Sequence, residues 1–247
     1  FRGGWMDYFK WWIERNGRRE TADGRYLTDV FTAEAVDFVR RHRQEPFMLC
    51  VMYNAPHSPL QAPDEVVQPY LDAGMSPGVA ITYAMNEIMD RGVGQIAQTL
   101  DELALRDDTI LMFTSDNGPA FNLRPDQVPE GMDTNTLRYN CGFNGQKGSV
   151  YEGGIRVPMI MNWPGGLAGG RRVDDLVHAT DWLPTLANVC GVERPGGRPL
   201  DGCDALPILR GSGAEAPARF WQLNAQQPVG SLSLLSQPGH VLNGTVP

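Results

Sequence analysis

Apolar residues follow two rhythms along this chain. Between Thr28 and Arg43, Val30, Phe31, Ala35, Phe38 and Val39 recur at three- and four-residue intervals. That spacing predicts an amphipathic helix whose basic last turn suits the C-terminal end of the macrodipole, with Thr28 or Thr32 as its cap. From Ile81 to Leu105, the stripe Ile81, Met85, Ile88, Met89, Val93, Ile96, Leu100 and Leu103 predicts a second helix, its methionines filling the core. Leu176 to Cys190 predicts a third, bent or begun near Pro184. The other rhythm is the short apolar run: Phe47 to Tyr53, Ile110 to Phe113 and Val157 to Trp163, each bounded by turn residues. Such runs read as buried strands, and their alternation with helices predicts an α/β sheet with crossover connections.

The remaining segments read as loops. Residues 1–27 are rich in aromatics and charge without clean periodicity, and Pro63, Pro69 and Pro77 punctuate the stretch ahead of the second helix. Residues 119–148 form a long polar loop containing Gly and Pro, a length that is uncommon in compact domains unless functional or disordered. Residues 231–247 carry no strong pattern and are expected to be irregular or truncated.

Candidate chemistry gathers at the strand ends. Ser115-Asp116-Asn117-Gly118 reads as a strand-to-loop turn closed by Asn-Gly, or as a carboxylate and an amide carbonyl offered to a hard cation such as Ca²⁺ or Mg²⁺. His57 follows the first run between Pro56 and Pro59, and Lys147 precedes the third within Gly-Gln-Lys-Gly-Ser. Taken singly, the one is an ordinary structural histidine and the other a solvent lysine. If the three strands are parallel neighbours, the four side chains converge on one sheet edge, where ligands bind in α/β folds. A metal pair, an imidazole and a fixed cation suit an anionic ester: the cations stabilise oxyanions, and His57 can protonate a leaving oxygen. Arg156 is expected to pair with a carboxylate and anchor its loop; His178 and Asp181, at i and i+3, are expected to cap or pack.

Bulk properties narrow the partners. The 247 residues, 42% hydrophobic, suffice for a large core, and the formal charge of -8 argues against nucleic acid. No apolar run is long enough for a transmembrane span. Cys50, Cys141, Cys190 and Cys203 show no metal spacing, and Cys50 is expected to be a buried small hydrophobe. Phe1 is not a start residue, so the chain is expected to be a fragment or a processed product.

Four segments in this order, PFMLCVMYNAPHSPLQAP, TILMFTSDNG, GQKGSVYEGGIRVPMIMNWPGG and HATDWLPTLANVCGV, closely resemble type I (arylsulfatase-like) sulfatases of the alkaline-phosphatase superfamily. The resemblance covers roughly residues 28–210. It implies a mixed, largely parallel α/β sheet flanked by helices, here incomplete. Residues 1–210 would be the C-terminal portion of the catalytic domain and 211–247 the start of a smaller C-terminal subdomain. It implies hydrolysis of a sulfate ester, glycan or aryl, at a Ca²⁺ site (Mg²⁺ being the lesser alternative). Asp116 and Asn117 would be two metal ligands, Lys147 would contact the sulfate, and His57 would help the alcohol leave. It also implies export to a periplasm, a lysosome or the cell exterior.

The sequence departs from the family pattern in lacking the Cys/Ser-x-Pro-Ser-Arg motif that yields the formylglycine nucleophile, and the paired aspartates that complete the metal site. The nucleophile is therefore expected outside this chain, and the chain alone is expected to be inactive. A phosphodiesterase or phosphonate hydrolase of the same superfamily, or an inactive binding relative, are the alternatives.

Overall fold

The computed structural model describes residues 7–193, 196–212, 216–223, 231–236 and 240–245, with side chains described as far as residue 221. The chain forms two compact units, residues 1–109 with 120–139, and 110–119 with 140–247.

The first unit opens with a hairpin, β1 (Trp12–Arg15) paired antiparallel with β2 (Arg18–Thr21). This corrects the expected loop. Asn16 and Gly17 both take positive φ, 50° and 79°, the geometry of the two-residue turns that suit hairpin twist. Helix α1 (Leu27–Arg41) lies where the periodicity placed it, burying Val30, Ala35 and Val39. Neither threonine caps it: Tyr26 occupies the N-cap, Thr28 and Thr32 are buried within the helix, and the Thr32 hydroxyl bonds back to the Thr28 carbonyl at 3.1 Å. Helix α2 (Asp64–Asp72) occupies the stretch read as loop. Pro63 precedes it, Asp64 and Glu65 complement its dipole, and it tolerates the interior Pro69 while packing on α3 through its buried face at Val67.

Helix α3 (Pro77–Glu102) contains the second predicted stripe and begins earlier, with Pro at its first position. Met85, Ile88 and Leu100 are buried, as is Gly92, where α3 meets Thr32 of α1. Tyr8, Trp11, Leu27, Val30, Leu60 and Met85 belong to one hydrophobic cluster that joins the hairpin, α1 and α3.

Phe47 to Tyr53 is not the buried strand expected. It pairs with no strand among the described residues, and exposure alternates along it, with Met48 at 76% and Met52 at 74%. Cys50 is exposed too, so its expected burial fails for the same reason: no neighbouring strand covers that side. All four cysteines are free thiols.

The second unit holds β3 (Leu111–Thr114) and β4 (Met159–Asn162). They pair antiparallel, Leu111 opposite Asn162 and Thr114 opposite Met159, instead of as parallel neighbours. Their burial is partial, and Ile160 is 63% exposed. A one-turn helix α4 (Glu152–Ile155) precedes β4. The third predicted helix is shorter than its pattern, a 3₁₀ turn at Ala179–Asp181 leading into α5 (Trp182–Val189). Helix α6 (Leu206–Arg210) ends at Gly211 in the left-handed conformation, φ 72°. The segment without strong pattern supplies β6 (Ser231–Ser236) and β7 (His240–Thr245), which join β5 (Arg219–Leu223) in an antiparallel sheet. Among the described residues no helix is long and apolar enough to cross a membrane.

Candidate functional site

The antiparallel pairing of β3 with β4 sets the end of one strand beside the start of the other. Ser115 to Gly118 leave β3 where the segment ahead of β4 arrives, and the Thr114 hydroxyl donates to the Pro158 carbonyl at 3.1 Å. Two backbone bonds lock these segments: Gly118 N–H to the Gly154 carbonyl at 2.9 Å, and Lys147 N–H to the Pro119 carbonyl at 2.8 Å. The approach is close enough to demand glycine. A Cβ on Gly118 would lie 1.8 Å from the Gly153 carbonyl oxygen, one on Gly153 would lie 2.2 Å from that of Gly145, and one on Gly154 would lie 2.2 Å from that of Ser149. The structure thus brings the Lys147 backbone against the turn that carries Asp116 and Asn117.

Asp116 is exposed and engages no cation or donor among the described residues. The Asn117 amide donates from Nδ2 to the Gly118 carbonyl at 3.0 Å, and the Ser115 hydroxyl donates to the Asn117 carbonyl at 3.1 Å. Spending Nδ2 in this way leaves the Asn117 Oδ1 as an acceptor. A carboxylate with no counter-ion beside an open amide oxygen fits a hard cation, as two of the six to eight or so oxygens Ca²⁺ takes. No cluster of three or more His, Cys, Asp or Glu able to hold a metal occurs among the described residues, so these two oxygens are a partial shell. Lys147 is exposed and carries no ion pair among the described residues, leaving its ammonium available to an anion. Arg156 behaves as expected: it pairs with Glu152 at 2.8 Å and lies over the Phe143 ring at 4.8 Å, anchoring its loop.

His57 belongs to the first unit. Its Nδ1–H donates to the Ser58 carbonyl at 2.8 Å, because a carbonyl can only accept, and that leaves Nε2 for proton exchange. The loop carrying it is held by Tyr8, which the sequence reading passed over. The fully buried Tyr8 hydroxyl is 2.8 Å from both the Asn54 and His57 carbonyl oxygens, and burial pushes its phenol pKa upward. Its signal was the dense aromatics of the N-terminal segment, which do mark packing.

His178 and Asp181 form a capping pair. Thr180 N–H donates to His178 Nδ1 at 3.2 Å, and His178 N–H donates to the Asp181 carboxylate at 2.8 Å. Asp181 is 1% exposed and is tied to the Cys203 amide at 2.9 Å and to the Arg219 guanidinium, so its oxygens are committed to holding α5 against the 201–205 turn and β5.

The Sulfatase family model matches residues 2–192. The chain belongs to the sulfatase family. It is 36% identical over 194 residues to the steryl-sulfatase of Rattus norvegicus, covering 78% of this chain and 31% of that protein. It is 35% identical over 187 residues to the N-acetylgalactosamine-6-sulfatase of Canis lupus familiaris, covering 75% of this chain and 33% of that protein. The chain therefore spans about a third of the length of these relatives. Among solved structures, Ps i-CgsB in complex with k-i-k-neocarrahexaose matches with a TM-score of 0.77 at 29% identity, over 90% of this chain and 47% of that one. A phosphonate monoester hydrolase, SpPMH from Silicibacter pomeroyi, matches with a TM-score of 0.60 at 18% identity, over 88% of this chain and 53% of that one, and shares the fold alone. The alkaline-phosphatase-like α/β architecture of the sulfatase neighbours is the fold that the resemblance to the sulfatase family implies.

Proposed function

We propose that this sulfatase chain supplies part of a divalent-cation and sulfate-binding site for hydrolysis of a sulfate ester. The family match over residues 2–192 carries the reading, and the backbone lock between the Asn117 turn and the Lys147 loop supports it. Asp116 and Asn117 hold the cation through the carboxylate and Oδ1, with Ca²⁺ the expected ion for these hard oxygens. The cation, when bound, neutralises charge on the ester oxygens. Lys147 pairs with a sulfate oxygen, and its neighbours Gly145 and Gly148, at φ 82° and 85°, let the backbone come close to an anion. His57, as the imidazolium with Nδ1–H bound to the Ser58 carbonyl, delivers its Nε2 proton to the departing alcohol oxygen and is left neutral.

Formylglycine is assigned to polypeptide outside this chain, since none of its four cysteines has the required context. Residues 1–210 are assigned to the catalytic α/β domain and 211–247 to the start of a C-terminal subdomain. A sulfate ester is preferred to a phosphonate ester as the substrate because the relatives 33–36% identical are sulfatases, whereas the phosphonate hydrolase is 18% identical.

The test is protection of Lys147. With calcium present, inorganic sulfate should shield Lys147 from acetic anhydride, read by mass spectrometry, and Asp116→Ala should abolish the shielding. Acetylation unaffected by sulfate would sink the assignment. The 247-residue chain by itself should leave a chromogenic aryl sulfate intact; turnover that disappears in Asp116→Ala would overturn that expectation.

A further inference from the structure

His57 is exposed, and an exposed side chain ordinarily moves among its rotamers on the picosecond-to-nanosecond scale. Its main chain, by contrast, is held from the interior. The His57 N–H donates to the Asn54 carbonyl at 2.8 Å and closes a turn. Against that same carbonyl, and against the carbonyl of His57, lies the Tyr8 hydroxyl, 2.8 Å from each. The phenol thus grips both ends of the turn, across sequence separations of 46 and 49 residues.

Tyr8 is itself fixed at its main-chain polar groups. Its N–H donates to Gln61 Oε1 at 2.8 Å, and its carbonyl accepts at 2.9 Å from the Leu27 N–H at the start of α1. Its ring is fully buried and stacks on Tyr26 at 5.3 Å, the planes 18° apart. The Tyr26 hydroxyl donates to the Gln61 carbonyl at 2.7 Å, so two phenols hold the 54–61 segment at separate points. Burial pushes both phenols above their ordinary pKa, which keeps each hydroxyl protonated and able to donate. Phenylalanine would fill the same space without the cost of desolvating a hydroxyl; what the Tyr8 hydroxyl adds is its hold on the two carbonyls.

The His57 carbonyl belongs to the planar peptide that joins His57 to Ser58. The imidazole hangs on one side of that peptide, and its acceptor, the Ser58 carbonyl, lies on the other. Fixing the peptide therefore fixes the path between Nδ1 and the oxygen to which it donates. We propose that Tyr8 is a positioning residue for His57: its hydroxyl sets the 57–58 peptide so that Nδ1–H stays on the Ser58 carbonyl and Nε2 alone exchanges a proton. Which imidazole nitrogen carries the proton is decided by the hydrogen bond that the other nitrogen makes, so the clamp acts on the tautomer through the backbone. Without it the ring turns among its rotamers and the two nitrogens share the proton. The benefit to a departing alcohol rests on the role given to His57 in sulfate-ester hydrolysis, whereas the clamp needs residues of the first unit alone.

The experiment is nitrogen NMR of the imidazoles in the 247-residue chain, with the His57 signals assigned from a His57→Gln variant. In alkaline buffer the unsubstituted chain should hold His57 in the Nδ1–H form, favoured about fivefold over its share in a short peptide, the effect of one ordinary hydrogen bond. Tyr8→Phe, which keeps the ring, should remove most of that preference. Tyr26→Phe is the control: it breaks a hydrogen bond to the same segment but keeps the contacts to the Asn54 and His57 carbonyls, so it should lower Tm and leave the tautomer in place. As a readout free of any folding defect, exchanging the Tyr8 hydroxyl for deuterium in the unsubstituted chain should displace the carbonyl-carbon resonance of Asn54 or His57. An Nε2–H tautomer in the unsubstituted chain, an unchanged tautomer in folded Tyr8→Phe, an equal loss in Tyr26→Phe, or carbonyl resonances that ignore deuterium would each overturn the proposal. Every arm is read without substrate. Failure of sulfate to protect Lys147 with these results intact removes the sulfatase site and keeps the clamp; the reverse removes the clamp alone.

Discussion

Gly118 and Gly154 are joined backbone to backbone, the amide of one donating to the carbonyl of the other at 2.9 Å, with no room for a side chain between their segments. That contact decides where Lys147 lies relative to Asn117, since the Lys147 amide bonds to Pro119 only one residue beyond Gly118. Gly118→Ala should destabilise the chain by about 3 kcal/mol or more, the upper end for overpacking, because the obstructing atom is a carbonyl oxygen and not a flexible side-chain tip. Urea unfolding would measure it. The same variant should lose sulfate protection of Lys147 even at temperatures where it stays folded.

Asp116→Ala should weaken calcium binding without altering the fold, because the carboxylate is exposed and contributes no ion pair among the described residues. With only two protein oxygens, the affinity of the chain should be weak, with a dissociation constant on the order of 10⁻³ M. Millimolar calcium should raise Tm by linkage in the unsubstituted chain and not in the variant.

Gly92 offers a contest of two effects. Alanine is better than glycine in a helix interior by about 1 kcal/mol. Its Cβ, however, would lie 2.3 Å from the Thr32 hydroxyl and 2.8 Å from that of Tyr53, two groups already bonded to each other at 2.7 Å. Overpacking of this kind costs about 1–3 kcal/mol, so Gly92→Ala should be destabilising despite its propensity. Gly92→Ala combined with Thr32→Ala should recover much of the loss in thermal unfolding.

Asp181→Ala should be among the costliest single changes, about 3–5 kcal/mol, because it strands the buried Arg219 guanidinium and releases the His178 and Cys203 amides together. Denaturant titration would show it, and Asp181→Asn should recover only part.

A pH dependence follows from His178. Burial, then the Arg219 charge, lowers its pKa below the ordinary 6.5, and its Nδ1 must be unprotonated to accept from Thr180. The unfolded chain therefore takes up the proton first. Stability from this group is full above pH 6.5 and is lost as pH falls from 6.5 toward the folded-state value. His178→Asn, which still caps without titrating, should remove that part of the decline in a Tm–pH profile.

Much of this was legible along the chain. Helices α1 and α3 follow from 3.6-residue periodicity, which any long amphipathic helix must display. Asp116 and Asn117 are candidates because hard donors stand directly after an apolar run, and His57 and Lys147 because an imidazole and a cation lie in the loops near the other two runs. Other elements left signals that went unread: Asn16-Gly17 for the hairpin, Pro63 and Pro77 for helix starts, Gly211 for the end of α6.

Local pattern determined helices α1 and α3 and the polar turn that follows β3, because periodicity and turn chemistry act within a few residues. Tertiary structure alone decided that β3 and β4 run antiparallel and that Phe47 to Tyr53 stays unpaired among the described residues. It alone set Gly118 against Gly153 and the Tyr8 hydroxyl under the His57 loop. A strand's partner, a glycine's neighbour and a hydroxyl's acceptor are set by residues tens of positions away, and no short window of sequence contains them.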